Sequence, residues 1–241
     1  AAWTAGVIQS HSLYDGHRRD LIHVLGHYWL ICDRLRETTP LYRCLYGFQL
    51  SPGTEILDLG LSAASLSGSC HHAVIAASDG LMQPLVLNGS LDPIGGWVSP
   101  RYGEIRAAPQ LRYRLDGTTS TTTFLLQPGR GRSKAFRIQA DDRRDGVVAI
   151  AVNAGETNDY LLLNENGARE ASEGFGILFR GKLLWLRTQH QEPVELRVVD
   201  GESVSSERFG LEVRSRPGAP ALHMHAGADA LQVWCGAEDL V

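Results

Sequence analysis

Two short basic motifs supply the side chains best suited to bind an anionic ligand. Arg18-Arg19 places two guanidinium groups next to each other, and Arg101-Tyr102 places a guanidinium group beside a phenol ring. Guanidinium groups bind carboxylates and sulfates through paired hydrogen bonds, and an aromatic ring beside them can stack on a sugar face. Exposed arginines on strands are more often simply solvated, so the same residues also fit an ordinary protein surface. We treat these four residues as candidates for ligand binding.

The histidines and acidic residues do not complete a catalytic or metal-binding set. His71 and His72 are adjacent, so on a strand they point to opposite faces. His223 and His225 share a strand face, but no third ligand is obvious, so we predict no metal site. The sequence contains no nucleophile elbow, phosphate-binding loop or dinucleotide fingerprint, so we predict no cofactor and assign no catalytic residue. Asp33 is predicted to pair with a basic neighbour or to cap a turn.

The composition is that of a globular protein with a sizeable core. The chain has 241 residues, of which 43% are hydrophobic and 21% charged. Its net charge of −4 argues against nucleic acid or an acidic membrane as a partner. No apolar run approaches the roughly 20 residues of a membrane span, and no signal peptide is in view. The four cysteines lack CxxC spacing, and a Cys32–Cys44 disulfide stays open as an alternative to free thiols.

Short strand patterns recur from one end of the chain to the other. Residues 21–24 and 28–32 are predicted strands that flank a turn at Gly26. In residues 111–115, apolar side chains alternate with arginines, which predicts a strand with one buried face and one solvent-exposed arginine face. No long window shows helical spacing of apolar residues. A sheet with one apolar face must bury that face against another sheet. The sequence therefore predicts an all-β fold, an antiparallel β-sandwich of jelly-roll or supersandwich type.

The basic, glycine-rich turn at residues 129–134 is the best interior break. It divides the chain into residues 1–130 and residues 131–241, and the second portion is predicted to add strands that complete the same sandwich body. Apolar neighbours on both sides of Trp29 and Trp185 predict core packing for both rings.

The first portion contains a series of five motifs: His17-Arg18-Arg19, YWLICDRL at 28–35, YGFQLSPG at 46–53, WVSPRYG at 97–103 and TFLLQPG at 123–129. In this order, the series resembles the C-terminal β-sandwich of heparinase II/III-type polysaccharide lyases. The resemblance covers residues 11–130, about half of the chain, and depends on the order and spacing of the motifs.

The resemblance implies a sandwich that supports an α/α-toroid catalytic domain or chain and lines a groove for an acidic polysaccharide. In such lyases the toroid carries the tyrosine and histidine that act on the substrate, and the whole enzyme cleaves a uronic-acid glycoside by β-elimination. On this basis Arg18, Arg19, Arg101 and Tyr102 are the expected substrate-binding residues. A secreted or periplasmic location is expected from the resemblance alone. The alternative is a stand-alone carbohydrate-binding or structural β-sandwich module without catalytic activity.

Overall fold

The structure, a computed structural model, consists of antiparallel β-strands. It describes residues 17–24, 27–35, 42–61, 63–68, 72–77, 83–117, 121–129, 137–143, 146–164, 171–214, 221–226 and 231–235. These residues form strands, turns and connecting segments and no helix, which confirms the predicted all-β fold of the antiparallel sandwich type. In this described part of the chain, no helix is long and apolar enough to cross a membrane.

The chain divides into two compact units between Ser133 and Lys134, close to the break predicted at residues 130 and 131. The first unit comprises residues 5–133 and the second unit includes residues 134–241. Each sheet formed by the described residues lies wholly within one unit. The expectation that the second portion completes the sandwich body of the first stays a prediction.

The first unit contains thirteen of the strands. They are β1 (His17–Val24), β2 (Tyr28–Leu35), β3 (Tyr42–Gln49), β4 (Glu55–Leu59), β5 (Ala63–Ser67), β6 (His72–Ala77), β7 (Gln83–Leu87), β8 (Ser90–Leu91), β9 (Ile94–Gly95), β10 (Trp97–Val98), β11 (Arg106–Ala107), β12 (Gln110–Gly117) and β13 (Thr121–Gly129). A six-stranded sheet has the order β1-β2-β13-β6-β5-β4, and a three-stranded sheet has the order β3-β12-β7. Two small pairs, β8-β9 and β10-β11, complete the unit.

An aromatic cluster joins the two larger sheets of the first unit. Phe124 of β13 lies 4.9 Å from Tyr46, 5.0 Å from Phe48 and 5.7 Å from Tyr113, measured between ring centroids. These tilted and edge-to-face contacts add to the free energy gained by burying the rings. On β12, Leu111 and Tyr113 are fully buried whereas Arg112 is partly exposed and Arg114 is exposed, which agrees with the predicted alternation over residues 111–114; the Leu115 side chain lies outside the described residues.

The second unit is a sandwich of a seven-stranded and a four-stranded sheet. Its strands are β14 (Arg137–Arg143), β15 (Val147–Ala154), β16 (Thr157–Asn164), β17 (Ala171–Gly174), β18 (Ile177–Arg180), β19 (Leu183–Gln189), β20 (Glu192–Val199), β21 (Ser203–Ser206), β22 (Leu211–Arg214), β23 (Ala221–Ala226) and β24 (Leu231–Cys235). The sheet orders are β14-β15-β16-β19-β20-β23-β24 and β17-β18-β21-β22. Leu162, Leu184 and Leu186 of the larger sheet pack against Phe179 and Val204 of the smaller one.

The two tryptophans predicted to be buried have different environments. Trp185 on β19 is 1% exposed, as predicted. Trp29 on β2 is 41% exposed, so the prediction for this residue was wrong. The reason is strand alternation: Tyr28 and Leu30 point to the buried face, and the residue between them must point to the other face. There the Trp29 ring stacks on His23, its partner across the β1-β2 pair, at a centroid distance of 3.8 Å.

Candidate ligand-binding surface

A tight loop between β10 and β11 presents two of the four predicted ligand-binding residues to solvent. The backbone N–H of Glu104 donates to the carbonyl of Arg101 at 3.1 Å, which closes a turn over residues 101–104. Gly103 occupies the third position of this turn with a φ of +75°, a conformation that glycine adopts without strain. Tyr102, at the second position, is fully exposed, and the Arg101 side chain is 79% exposed.

One carboxylate orients two guanidinium groups on this loop. Glu104 accepts hydrogen bonds from Nε of Arg101 at one oxygen and from Nε of Arg106 at the other. Since one negative charge faces two positive charges, the cluster of Arg101, Glu104 and Arg106 keeps one net positive charge. The bonds that are described use only the Nε–H of each arginine, so the terminal N–H groups of both can bind an anion.

The start of the same loop is anchored by Trp97. Its indole Nε1–H donates to the carbonyl of Ser90 at 2.9 Å, and its ring edge lies over Gly89. A Cβ atom at Gly89 would come within 3.4 Å of that ring, and Gly89 has a φ of +64°, so a glycine is needed there. Leu91 and Ile94 of the adjacent β8-β9 pair are exposed as well. The surface around the turn is therefore apolar with a cationic cluster.

Arg18 and Arg19 lie on opposite faces of β1, because neighbouring residues of a strand alternate. On one face, Nε of Arg18 donates to Oδ1 of Asp20 at 3.1 Å, and Arg34 of β2 donates to Oδ2 of the same carboxylate. Asp20 is fully buried. Arg18 and Arg34 therefore share a buried counter-ion.

On the other face, Arg19 binds Asp33 through two parallel hydrogen bonds. Nε to Oδ1 measures 2.6 Å and Nη2 to Oδ2 measures 2.8 Å. The hydrogen bond to Asp33 is the main cause that raises the pKa of Arg19 above its ordinary value. Asp33 is 1% exposed, which agrees with the prediction that it pairs with a basic residue, although the partner lies across the strand pair.

The four predicted residues thus do not form one cluster of contacts. Arg101 and Tyr102 share one turn, whereas Arg18 and Arg19 each bind a buried carboxylate on a different face of the six-stranded sheet. A role of Arg18 and Arg19 in ligand binding stays a prediction, and the β10–β11 loop is the candidate binding surface. Sequence reasoning missed Glu104 and Arg106. The sequence pattern that could have predicted them is the spacing of Glu104 and Arg106, two residues apart directly after the turn glycine Gly103.

The remaining chemistry of the first unit is structural. Cys32 is a free, fully buried thiol, so it does not form the Cys32–Cys44 disulfide that the sequence left open. Burial raises the pKa of the Cys32 thiol to about 12 and that of the Tyr113 phenol to about 12.

In the part of the chain that the structure describes, no group of three or more His, Cys, Asp or Glu side chains could hold a metal ion. The side chains of His223 and His225 lie outside the described residues.

No family model matches the sequence, and no curated protein matches it.

Proposed function

We propose that this chain is the C-terminal β-sandwich portion of a heparinase II/III-like polysaccharide lyase. In this proposal the sandwich supports an α/α-toroid catalytic domain or chain, and its β10–β11 loop lines one side of the groove for an acidic polysaccharide. The observation that carries the proposal is the fully exposed Tyr102 beside the Arg101–Glu104–Arg106 cluster. The motif resemblance and the all-β sandwich fold support it independently of each other.

The chemistry of the loop suits a uronate-containing glycan. The guanidinium groups of Arg101 and Arg106 bind carboxylate or sulfate groups, and Glu104 fixes their direction. The Tyr102 ring offers an apolar face on which a sugar ring stacks. In β-elimination, a base takes the proton from the carbon that bears the carboxylate, and the 4-oxygen departs as the leaving group. An arginine at the carboxylate stabilises the negative charge that develops during this step.

A stand-alone carbohydrate-binding module is the second candidate. It is favoured by the presence of two units, each of which encloses a hydrophobic core between its two larger sheets. Both candidates use the same loop for binding, and they differ in whether a catalytic domain belongs to the natural protein.

The mass and the activity of the natural protein distinguish the two candidates. We would measure its intact mass in the source organism and assay the same preparation for unsaturated uronates by ultraviolet absorbance, with heparinoids, alginate and hyaluronan as substrates. We expect a mass well above 26.4 kDa and formation of unsaturated uronate. A natural mass of 26.4 kDa without activity on these substrates would contradict the lyase proposal and favour the binding module.

A further inference from the structure

A half-open pocket in the second unit has no role in the proposed function. Its volume is about 380 Å³, within the size range of small-molecule sites. It lies where β14, β15 and β16 meet two turns of the smaller sheet. The polar and aromatic side chains that line it are Gln139, Asn153, Asn158, Tyr160, Phe175 and Arg208. Three amides, two aromatic rings and one guanidinium group therefore face a common space.

Arg208 is the cation of this pocket, and it has no carboxylate partner among the described residues. It donates from Nη1 to the carbonyl of Phe175 at 3.3 Å and from Nη2 to the Tyr160 hydroxyl at 3.4 Å, both long bonds to neutral acceptors. Its guanidinium carbon lies 5.5 Å from the centroid of the Tyr160 ring. By contrast, Arg187 and Arg197 of the same unit each bind a carboxylate at 2.7 Å or less. Arg208 is exposed, and an anionic group in the pocket would give it a carboxylate partner of the kind that Arg187 and Arg197 have.

The facing amides of Asn153 and Asn158 leave one donor and one acceptor side by side. Nδ2 of Asn153 donates to Oδ1 of Asn158 at 2.6 Å. This bond leaves Nδ2 of Asn158 and Oδ1 of Asn153 without partners among the described residues. A hydroxyl group both donates and accepts, so two neighbouring hydroxyls of a sugar match this pair.

Phe175 lines the pocket in a backbone conformation that is unusual for its side chain. Phe175 and Gly176 form the two-residue turn between β17 and β18, with φ values of +54° and +76°. Turns of this kind favour Asn-Gly, and a bulky residue at a positive φ is a genuine outlier of the sort found at functional sites. Both carbonyls of the turn are held, one by Arg208 and the other by the Ser206 hydroxyl at 2.6 Å. The Phe175 ring then lies 5.5 Å from that of Tyr160.

We propose that this pocket binds the carboxylate-bearing sugar unit of an acidic saccharide. Arg208 binds the carboxylate, the Asn153–Asn158 pair binds adjacent hydroxyls, and the ring of Phe175, which is partly exposed, contacts the apolar face of the sugar. The site shares no residue with the β10–β11 loop, so the pocket proposal and the proposed function can each be correct without the other. The sugar unit can come from a free sugar acid or from a polysaccharide chain, and the test separates these sources.

The test is ligand-observed NMR on the full chain, with glucuronate and galacturonate as free acids, a short oligouronate as the polymer and glucose as the neutral probe. For a monosaccharide acid we expect a Kd on the order of 1 mM. Asn158→Asp keeps the acceptor for Asn153 and places a carboxylate in the pocket, and Arg208→Gln removes the cation but keeps a side-chain stem. Because the proposed function lets the β10–β11 loop bind uronates as well, both variants are made in the Arg101→Ala background, where each should weaken the remaining uronate binding at least tenfold. Arg180→Ala is the matched control, because it removes an arginine of the same smaller sheet whose partner is Glu202.

The outcomes are distinct. If the free acids bind and both variants abolish that binding, the ligand is a free sugar acid. If only the oligouronate binds and both variants abolish that binding, the ligand is the polymer. Either result supports the site. Uronate binding that survives both Asn158→Asp and Arg208→Gln, equal binding of glucose, or no binding of any uronate would overturn it. Complete loss of uronate binding in Arg101→Ala alone would place the glycan on the loop and likewise overturn the pocket.

Discussion

Removing the Asp20 carboxylate should destabilise the first unit strongly. Asp20 is fully buried and is the counter-ion of Arg34, whose side chain is only 9% exposed, and of Arg18, whose side chain is 29% exposed. Asp20→Ala leaves a buried guanidinium group without this carboxylate, and breaking a buried pair from one side costs about 3–5 kcal/mol. Arg18→Ala removes the more exposed donor and leaves the Arg34 pair in place, so it should cost about 1 kcal/mol or less.

The double variant Asp20→Ala/Arg34→Met separates loss of charge pairing from loss of packing. Methionine fills the space of the arginine stem without a charge, so the double variant should be more stable than Asp20→Ala alone. Urea unfolding followed by tryptophan fluorescence and circular dichroism measures each free energy of unfolding, with an unchanged m-value as the check on comparability. Glu212→Ala is the control, because it breaks an exposed pair with Arg214 and should change stability little. A cost of Asp20→Ala below about 1 kcal/mol, or a double variant less stable than the single one, would refute this reasoning.

Three further predictions test individual features of the fold. Cys32 should resist alkylation in the native protein, because burial raises its pKa from 9.0 to about 12. Between these two pH values only the unfolded thiol ionises, so the free energy of unfolding should fall as the pH rises, by up to about 1.4 kcal/mol per pH unit. The fall in urea midpoint over this range should therefore be shallower in Cys32→Ala. Trp185→Ala should lower the free energy of unfolding by about 3–5 kcal/mol and Trp29→Ala by only about 0.5–1.5 kcal/mol, and similar losses for both would contradict the assigned burial. Gly96→Ala should lower the melting temperature more than Gly103→Ala, because both have a positive φ but only at Gly96 would a Cβ atom clash with backbone, at the Leu87 carbonyl; equal shifts would argue against this close approach.

The sequence predicted the fold class because alternation and turn residues are local signals. Residues 111–114 show this most clearly: Leu111 and Tyr113 are buried and Arg114 is exposed, as the pattern requires. A continuous apolar run carries less information. In β2, five apolar residues in sequence do not reveal which face is buried, and Trp29 was therefore placed in the core although it belongs to the more exposed face.

The partners of charged residues could not be predicted, because strand register determines them. Asp33 is followed in sequence by Arg34 but binds Arg19, its partner across the β1-β2 pair. In the same way, nothing local to Asp20 indicates that Arg34 reaches it. The pocket of the second unit escaped prediction for a related reason: Asn158, Phe175 and Arg208 come from three separate turns and strands, which only the packing of the two sheets brings together.

The most direct test of the central claim is a calorimetric titration of the chain with an acidic polysaccharide at low salt, with neutral dextran as the reference polymer. We predict binding to heparin or alginate and none to dextran, and at least tenfold weaker binding, about 1.4 kcal/mol, in both Arg101→Ala and Tyr102→Ala. Arg214→Ala should leave the affinity unchanged, because the Arg214 side chain is also 79% exposed and also pairs with a glutamate, but lies in the second unit. If the Arg101 and Tyr102 variants bind as tightly as the unmodified chain, the β10–β11 loop is not the glycan-binding surface and the account is contradicted.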